Sequence, residues 1–169
     1  GLFIAICAVF GYLLIILNGE RILSENENRF ELAQATIITD REGRQITKLY
    51  VAEGNRDYVE FKDIPELVRQ AFIATEDRRF YEHRGVDFWS IGRALVKDVM
   101  AGDFVEGGST ITQQLAKNLF LSADKTLFRK ATEASIALAL ENHRTKDQIL
   151  ELYLNRIYFG KGQYGVKTA

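Results

Sequence analysis

Apolar residues from about position 60 onward recur at the three- and four-residue intervals typical of amphipathic helices. Each such stretch begins with a side chain that can cap a helix or with an early proline. The pattern predicts five helices. The first four begin at the Asp63–Glu66 capping box and end about Thr75, run from Asp87 to Met100, start at Ser109, and cover about Thr126–Asn142. The last helix is capped by Thr145 and Gln148 and is predicted to carry Ile157 and Tyr158 on its apolar side. These elements favour a mainly α domain.

Residues 2–17 carry no charge and form the most apolar stretch of the chain. As a helix they would span roughly 24 Å, short of the roughly 30 Å hydrocarbon core of a bilayer. We therefore expect residues 1–18 to be a transmembrane anchor that is truncated at its N-terminus. A signal peptide and a buried core helix are the alternatives, and the first is disfavoured because no small-residue cleavage pattern follows.

The segment between the anchor and the helices is polar with scattered leucines. Residues 18–34 are predicted to be a stalk or a juxtamembrane helix, and Ala35–Tyr50 a short hairpin or two extended pieces around Asp40–Gly43. The predicted organisation is thus an anchor over 1–18, a juxtamembrane linker with short strands over 19–59, and a catalytic domain over 60–169.

Composition narrows the functional classes. A hydrophobic content of 47% with 27% charged residues argues against disorder. The net charge of −1 gives no support for nucleic-acid binding. A single cysteine, Cys7, and two histidines, His83 and His143, exclude an internal disulfide and make a histidine-rich metal site improbable.

Residues 107–118 carry the strongest chemical signal. In a helix starting near Thr110, one face presents Thr110, Gln113, Gln114 and Lys117, while Ile111, Leu115 and Leu119 share another face. Hydroxyl, amide and ammonium groups side by side suit a ligand that is both sugar-like and anionic. Ser109 is expected to cap this helix.

Two carboxylate sites are candidates for chemistry, namely the Glu76–Asp77 pair, which suits acid–base catalysis, and the single Glu133. Glu76 continues the predicted apolar face of Val68 and Phe72, so we expect it to be partly desolvated, which favours its protonated form. Glu133 opens an almost wholly apolar helical stretch and is expected to face the interior or a cleft. The alternatives are neutralisation of Glu76 and Asp77 by the following arginines, and a surface ion pair between Arg129 and Glu133.

Other polar residues have more ordinary interpretations. His83 is more simply a hydrogen-bonded structural histidine than a catalyst. Glu151 and Asn155 lie one helical turn apart, so a structural hydrogen bond is the expected role for both.

Four ordered motifs together resemble the family 51 peptidoglycan glycosyltransferases, found in class A penicillin-binding proteins and their monofunctional relatives. They are Glu76–Gly85, Gly108–Asn118, Arg129–Glu133 and Ile149–Gly160, within a match covering roughly residues 60–169. The resemblance implies a lysozyme-like glycosyltransferase fold and a single-pass protein whose catalytic domain faces the outside of a bacterial plasma membrane.

The resemblance also implies a reaction and its residues. Lipid II would be polymerised into a β-1,4 glycan with release of undecaprenyl diphosphate. Glu76 would be the base, Asp77 would support its placement, and Glu133 would be the second catalytic carboxylate, positioning the donor or a metal ion. Lys117, Arg129 and Lys130 would bind the diphosphate, and the remaining substrate-binding candidates are His83, Ser109, Thr110, Gln113, Gln114 and Asn118.

Further expectations follow from the same resemblance. No cofactor is required, although Mg²⁺ or Mn²⁺ could assist, and no dedicated metal ligands are visible. The partners are lipid II, the growing glycan chain, the membrane and, in some members, cell-wall synthesis or division proteins, with no nucleic acid. The family continues beyond Val166 with further helices, so we expect a domain truncated at its C-terminus. A lytic or hydrolytic enzyme and a non-catalytic precursor-binding module remain alternatives.

Overall fold

Helices dominate the part of the chain that the computed structural model describes, which comprises residues 11, 17–30, 36–49, 58–101, 108–121, 126–160 and 163–167. The helices are α1 (17–25), α2 (Glu66–Glu76), α3 (Phe88–Ala101), α4 (Ile111–Phe120), α5 (Leu127–His143) and α6 (Lys146–Leu154), with short 3-10 turns at Glu27–Phe30 and Phe61–Asp63. The strands are β1 (Thr36–Thr39), β2 (Gln45–Leu49), β3 (Tyr158–Gly160) and β4 (Gln163–Tyr164). The predicted mainly α class is confirmed.

Three helices, α4, α5 and α6, enclose the core. Their inward positions follow the three- and four-residue spacing of the sequence, which brings one apolar stripe of each helix to a common centre. The fully enclosed members include Ile111, Leu115, Ile136, Leu140, Ile149, Leu150, Tyr153 and Leu154. Burial of each such side chain contributes about 1.5–3 kcal/mol, so this centre is the rigid part to which the other elements attach.

Capping side chains define most helix starts. Thr126 and Thr145 accept hydrogen bonds from backbone amides three residues on, and the cap at Thr145 is the one that the sequence predicted. The cap of α4 is Thr110 rather than the predicted Ser109. The predicted Asp63 cap of α2 is also wrong, because Asp63 belongs to the preceding 3-10 turn and Pro65 occupies the N-cap position.

The predicted hairpin is present as the antiparallel pair of β1 and β2, in which Thr36 lies opposite Leu49. Asp40 closes its turn by accepting hydrogen bonds from the amides of Glu42 and Arg44. The bond from the Arg44 amide is the main reason why the pKa of Asp40 is lowered.

The segment predicted to be a stalk or juxtamembrane helix is packed against the core. Leu23 of α1 is buried, and α1 approaches α5 where Gly19 meets the backbone of Ser135, a contact that leaves no room for a Cβ. Beyond α1, the Arg29 side chain donates to the Leu119 carbonyl over 3.0 Å. Arg156 in turn donates to the Arg29 carbonyl over 2.7 Å.

The predicted anchor over residues 1–18 lies almost wholly outside the described residues. Within the described part of the chain, none of the helices combines the length and apolar character needed to cross a bilayer.

A second small hairpin follows α6. The sequence predicted that Ile157 and Tyr158 continue the apolar side of the last helix, but α6 ends at Leu154 and Tyr158 begins β3. Tyr158 pairs with Tyr164 of β4, and their rings lie 4.8 Å apart. The helix predicted from the apolar spacing was therefore one turn too long.

Gly85 provides a stability test of the packing against α5. Its φ is +83°, and an added Cβ would lie 2.6 Å from the Ala137 carbonyl oxygen. Gly85→Ala should lose about 1–2 kcal/mol from left-handed strain and a further 1–3 kcal/mol from overpacking, measured by urea unfolding. Gly43→Ala is the matched control, because Gly43 has φ +80° with nothing within 4 Å. Equal losses in the two variants would contradict the close approach.

Candidate functional site

A polar cleft of about 370 Å³ opens where the end of α2, one face of α3 and the start of α4 meet. Its wall combines carboxylates, hydroxyls and cations, supplied by Thr75, Glu76, Asp77, Arg78, Arg79, Asp87, Ser90, Arg93, Lys97, Gly108, Ser109 and Thr110. Of the predicted site residues, the structure brings Glu76, Asp77, Ser109 and Thr110 together in this wall.

Glu76 is the last residue of α2 and is exposed. The prediction of a partly desolvated carboxylate is wrong, because α2 turns only a narrow face inward. Val68 and Phe72 are half-buried, whereas Leu67 is 78% exposed. The Glu76 carboxylate accepts a hydrogen bond of 3.0 Å from the Gln114 side-chain amide, which ties it to α4.

Asp77 follows directly and is buried, since the backbone leaves the helix at this residue. One carboxylate oxygen accepts from the backbone amide of Ile111 over 3.0 Å and lies 2.9 Å from Nε2 of His83. Asp77 therefore joins the end of α2 to the positive N-terminus of α4. That Asp77 supports the placement of Glu76 stays a prediction, because the hydrogen bonds of Asp77 run to His83 and Ile111.

His83 is buried beneath the cleft and does not line it. Its contact with Asp77 fits the structural interpretation of this histidine. Its effect on a ligand in the cleft would therefore be transmitted through Asp77.

The predicted polar stripe of α4 divides into two parts. Thr110 and Gln113 form a reciprocal capping box and are each only 2% exposed. The Thr110 hydroxyl additionally donates to the Gly85 carbonyl. Gln114 reaches Glu76, whereas Lys117 and Asn118 are exposed and lie outside the cleft wall. Part of the stripe therefore serves to stabilise the helix start.

A cationic cluster surrounds Glu133. This carboxylate is 2% exposed, and its oxygens lie 2.9 Å from Arg129 and 2.8 Å from Lys130. Lys130 also donates to the Ser109 hydroxyl over 2.6 Å, which connects the cluster to the cleft wall. The Arg129–Glu133 pair is thus buried at the carboxylate rather than being a surface pair.

The residues around Glu133 do not fit a divalent metal ion. Both carboxylate oxygens already face cations, and no group of three or more potential His, Cys, Asp or Glu ligands comes together within the described ranges. Glu133 instead pairs with Arg129 and Lys130 and holds their charged groups at its carboxylate.

Sequence reasoning missed two cations of α3. Arg93 and Lys97 line the cleft beside Ser90. A signal was available, because Ser90, Arg93 and Lys97 are spaced at i, i+3 and i+7 on the helix that Asp87 caps. The cleft is therefore more cationic than the predicted residues alone suggest.

Asp87 holds the start of α3. Its carboxylate accepts from the amides of Trp89 and Ser90 and, over 2.6 Å, from the Ser90 hydroxyl. Burial raises the pKa of Asp87, but the two bonds from Ser90, with the charges of Arg79 and His83, outweigh it, and the pKa is lowered overall.

The lowered pKa of Asp87 predicts a pH-dependent cap. Its stabilising contribution is present above the unfolded pKa of about 3.9 and is lost as the pH falls through the lower folded value. Asp87→Ala should therefore lower the free energy of unfolding by about 1 kcal/mol at pH 7. The difference in this free energy between the variant and the parent chain should shrink as the pH falls below the folded pKa of Asp87. Urea unfolding at several pH values measures this. Asp87→Asn is the control, because it keeps a capping side chain without a charge. If the difference in free energy of unfolding between Asp87→Ala and the parent chain did not depend on pH, the prediction would be contradicted.

Glu151 and Asn155 have the structural role expected of them. The Asn155 side chain exchanges two hydrogen bonds with the backbone of Val59, and Glu151 accepts from the amide of Phe61. These bonds fix the chain before α2 onto α6.

The sequence model of the transglycosylase family matches residues 42–169. Penicillin-binding protein 1F of Bacillus subtilis (strain 168) is 49% identical over 98% of this chain and 22% of its own length. Penicillin-binding protein 1A/1B of the same strain is 47% identical over 86% of this chain and 16% of its own length. Penicillin-binding protein 1A of Aquifex aeolicus (strain VF5) is 49% identical over 80% of this chain and 18% of its own length. The chain spans about a fifth of the length of these curated relatives.

Proposed function

The chain belongs to the transglycosylase family, and from that membership we propose that it polymerises lipid II into β-1,4 glycan strands during bacterial cell-wall synthesis. The observation that carries this proposal is the exposed carboxylate of Glu76 at the wall of a cleft rich in cations. Such a pairing suits a reaction in which a hydroxyl loses a proton while a diphosphate departs.

Glu76 acts as the general base in this proposal. Its carboxylate takes the proton of the acceptor 4-hydroxyl as that oxygen forms a bond to the anomeric carbon of the donor. The bond from that carbon to the diphosphate breaks, its electron pair leaves with the diphosphate, and an α-linked donor becomes a β linkage. Exposure suits Glu76 to this role, because a carboxylate at the cleft wall can be reached by the incoming hydroxyl.

Cations stabilise the departing diphosphate. Lys130 and Arg129 are held by Glu133, and Lys130 reaches the cleft through Ser109. Arg93 and Lys97 of α3 supply further positive charge to the cleft wall. A guanidinium or ammonium group at a phosphate makes a charge-assisted bond stronger than a neutral one.

The remaining predicted residues act around these groups. Ser109, Thr110, Gln114 and Asn118 are assigned to the sugars and Lys117 to the diphosphate. Gln113 contributes through the capping box that orders the start of α4.

The proposal extends to the fold family and the location. We assign the domain a lysozyme-like fold, in a single-pass protein at the outer face of the plasma membrane, in contact with the growing glycan and with cell-wall synthesis or division proteins. Support for the membrane comes from α3, whose Trp89, Val99 and Met100 are 75–83% exposed beside the cleft. An activating Mg²⁺ or Mn²⁺ would bind elsewhere than at Glu133, whose two oxygens already pair with cations.

Assays with lipid II and with finished peptidoglycan distinguish polymerisation from hydrolysis. The full-length protein should convert lipid II into glycan strands, visible on a gel, and should release no soluble muropeptides from finished peptidoglycan. Muropeptide release without polymer would indicate a lytic enzyme on the same two carboxylates. Absence of both products would overturn the proposal and leave a precursor-binding module.

Lys117 tests the diphosphate assignment separately from turnover. Lys117→Ala should weaken binding of a lipid II analogue roughly 10- to 100-fold, as expected for a lost hydrogen bond to a charged group. Isothermal titration calorimetry measures the change. Since Lys117 is exposed, the fold should be unaffected, and Lys62→Ala on the remote 3-10 turn is the control. Equal affinities of Lys117→Ala and the parent chain would remove Lys117 from the site.

A further inference from the structure

Gln114 links the cleft to the core of the protein. Its side-chain nitrogen donates to Glu76 over 3.0 Å, and its side-chain oxygen accepts from the Tyr153 hydroxyl over 3.1 Å. The amide thus bridges the end of α2 and the last turn of α6.

The chemistry of the three groups fixes the direction of each bond. An ionised carboxylate can only accept hydrogen bonds, so Glu76 must face the N–H end of the amide. The carbonyl end is then left for Tyr153, whose hydroxyl must be the donor. Burial, together with the nearby charge of Glu76, raises the pKa of Tyr153 and keeps this proton in place.

Tyr153 is a fixed reference point, whereas Glu76 is not. Tyr153 is 1% exposed, and its ring packs edge-on against Phe72 of α2 at 6.3 Å. Glu76 is exposed on a long side chain, which loses considerable rotamer freedom when it is held in one position. The bridge through Gln114 is the contact that connects the two.

We infer that Tyr153 is a positioning residue that acts through Gln114: its hydroxyl fixes the orientation of the amide, and the amide holds the Glu76 carboxylate towards the incoming hydroxyl. This inference rests on the proposed role of Glu76 as the base. Tyr153 itself touches neither substrate nor the reacting atoms in this scheme. Its loss should lower kcat by a larger factor than it changes KM, because the other substrate contacts are retained.

Tyr153→Phe in the full-length protein tests the inference by steady-state polymerisation of lipid II. We expect kcat to fall roughly 3- to 10-fold, the effect of one neutral hydrogen bond. In a Gln114→Leu background the same substitution should cause no further loss, since the bridge is already broken. Tyr81→Phe is the matched control, because it removes a hydroxyl bond to Asp147 of 2.9 Å outside the cleft. An equal loss in both backgrounds, or a change confined to KM, would overturn the inference.

A second readout does not depend on turnover. The side-chain amide signals of Gln114, followed by NMR in detergent micelles, should shift with the titration of Glu76 in the parent chain. They should respond differently in Tyr153→Phe, and this dependence should vanish in Glu76→Gln. Identical signals in the parent chain and Tyr153→Phe would overturn the bridge. If the bridge is seen but no glycan is formed, it is the proposed function that fails.

Discussion

Glu76→Gln is expected to reduce the rate of glycan polymerisation by about 10²–10⁴-fold, the contribution typical of a positioned general base. The amide has nearly the shape of the carboxylate and can still accept the bond from Gln114. It cannot take up the proton of the acceptor hydroxyl. Because Glu76 is exposed, the free energy of unfolding should change by no more than about 0.5 kcal/mol.

The measurement is initial-rate polymerisation of lipid II by the full-length protein, with urea unfolding of the same preparations. Glu82→Gln is a suitable control, because Glu82 is an exposed carboxylate six positions further on that pairs with Arg79 and does not line the cleft. It should retain its full rate. A Glu76→Gln protein that polymerises at the parent rate would falsify the assignment of Glu76 as the base.

Asp77→Ala is expected to have the largest effect on stability, about 3–5 kcal/mol. The carboxylate is buried against His83 and the Ile111 amide, so its removal leaves both groups without a partner in a dry environment. It also disconnects the end of α2 from the start of α4, and polymerisation should fall together with stability.

Chemical unfolding with hydrogen exchange at the Ile111 amide checks this prediction. The amide should exchange faster in Asp77→Ala than in the parent chain. Asp77→Asn is the matched variant, since its side-chain oxygen can still accept from Ile111 and should preserve part of the protection. A loss below about 1 kcal/mol for Asp77→Ala, the worth of an ordinary hydrogen bond, would contradict the role of Asp77 as the junction.

Local features of the fold were predictable because their causes are local. Thr126, Thr145 and Asp87 cap helices through contacts within three residues, and the hairpin turn at Asp40 is equally short-ranged. The apolar spacing of α4 and α6 gave the core positions directly. Errors at helix ends, such as the extension of α6 to Tyr158, arose because a strand pair can continue an apolar pattern.

Burial within the site was not predictable in the same way. Glu76 shares a helical face with Phe72, but within the described part of the chain it is exposed, because the cleft opens at the end of α2. Gln113 shares a face with Lys117, yet its amide turns back to the helix start. Each outcome depends on which elements meet at a surface, a property that spacing along one helix does not contain.

The bridge from Tyr153 and the contribution of α3 were likewise hidden. Gln114 and Tyr153 are 39 positions apart, and only the packing of α4 against α6 brings them together. In the sequence, Arg93 and Lys97 look like residues on the solvent-exposed face of an ordinary helix. Only the structure shows that they line the cleft. The resemblance to a known family identified the motifs, whereas the structure shows how they contact one another.

The abrupt end of α2 imposes a constraint on chain length. Glu76 and Asp77 are neighbours, yet one faces solvent and the other is buried, because the helix stops between them. A deletion or insertion of a single residue within α2 would rotate the helix end by about 100° and exchange the surroundings of the two acids. Relatives of this protein should therefore vary freely in the exposed side chains of α2 while keeping the number of its residues constant.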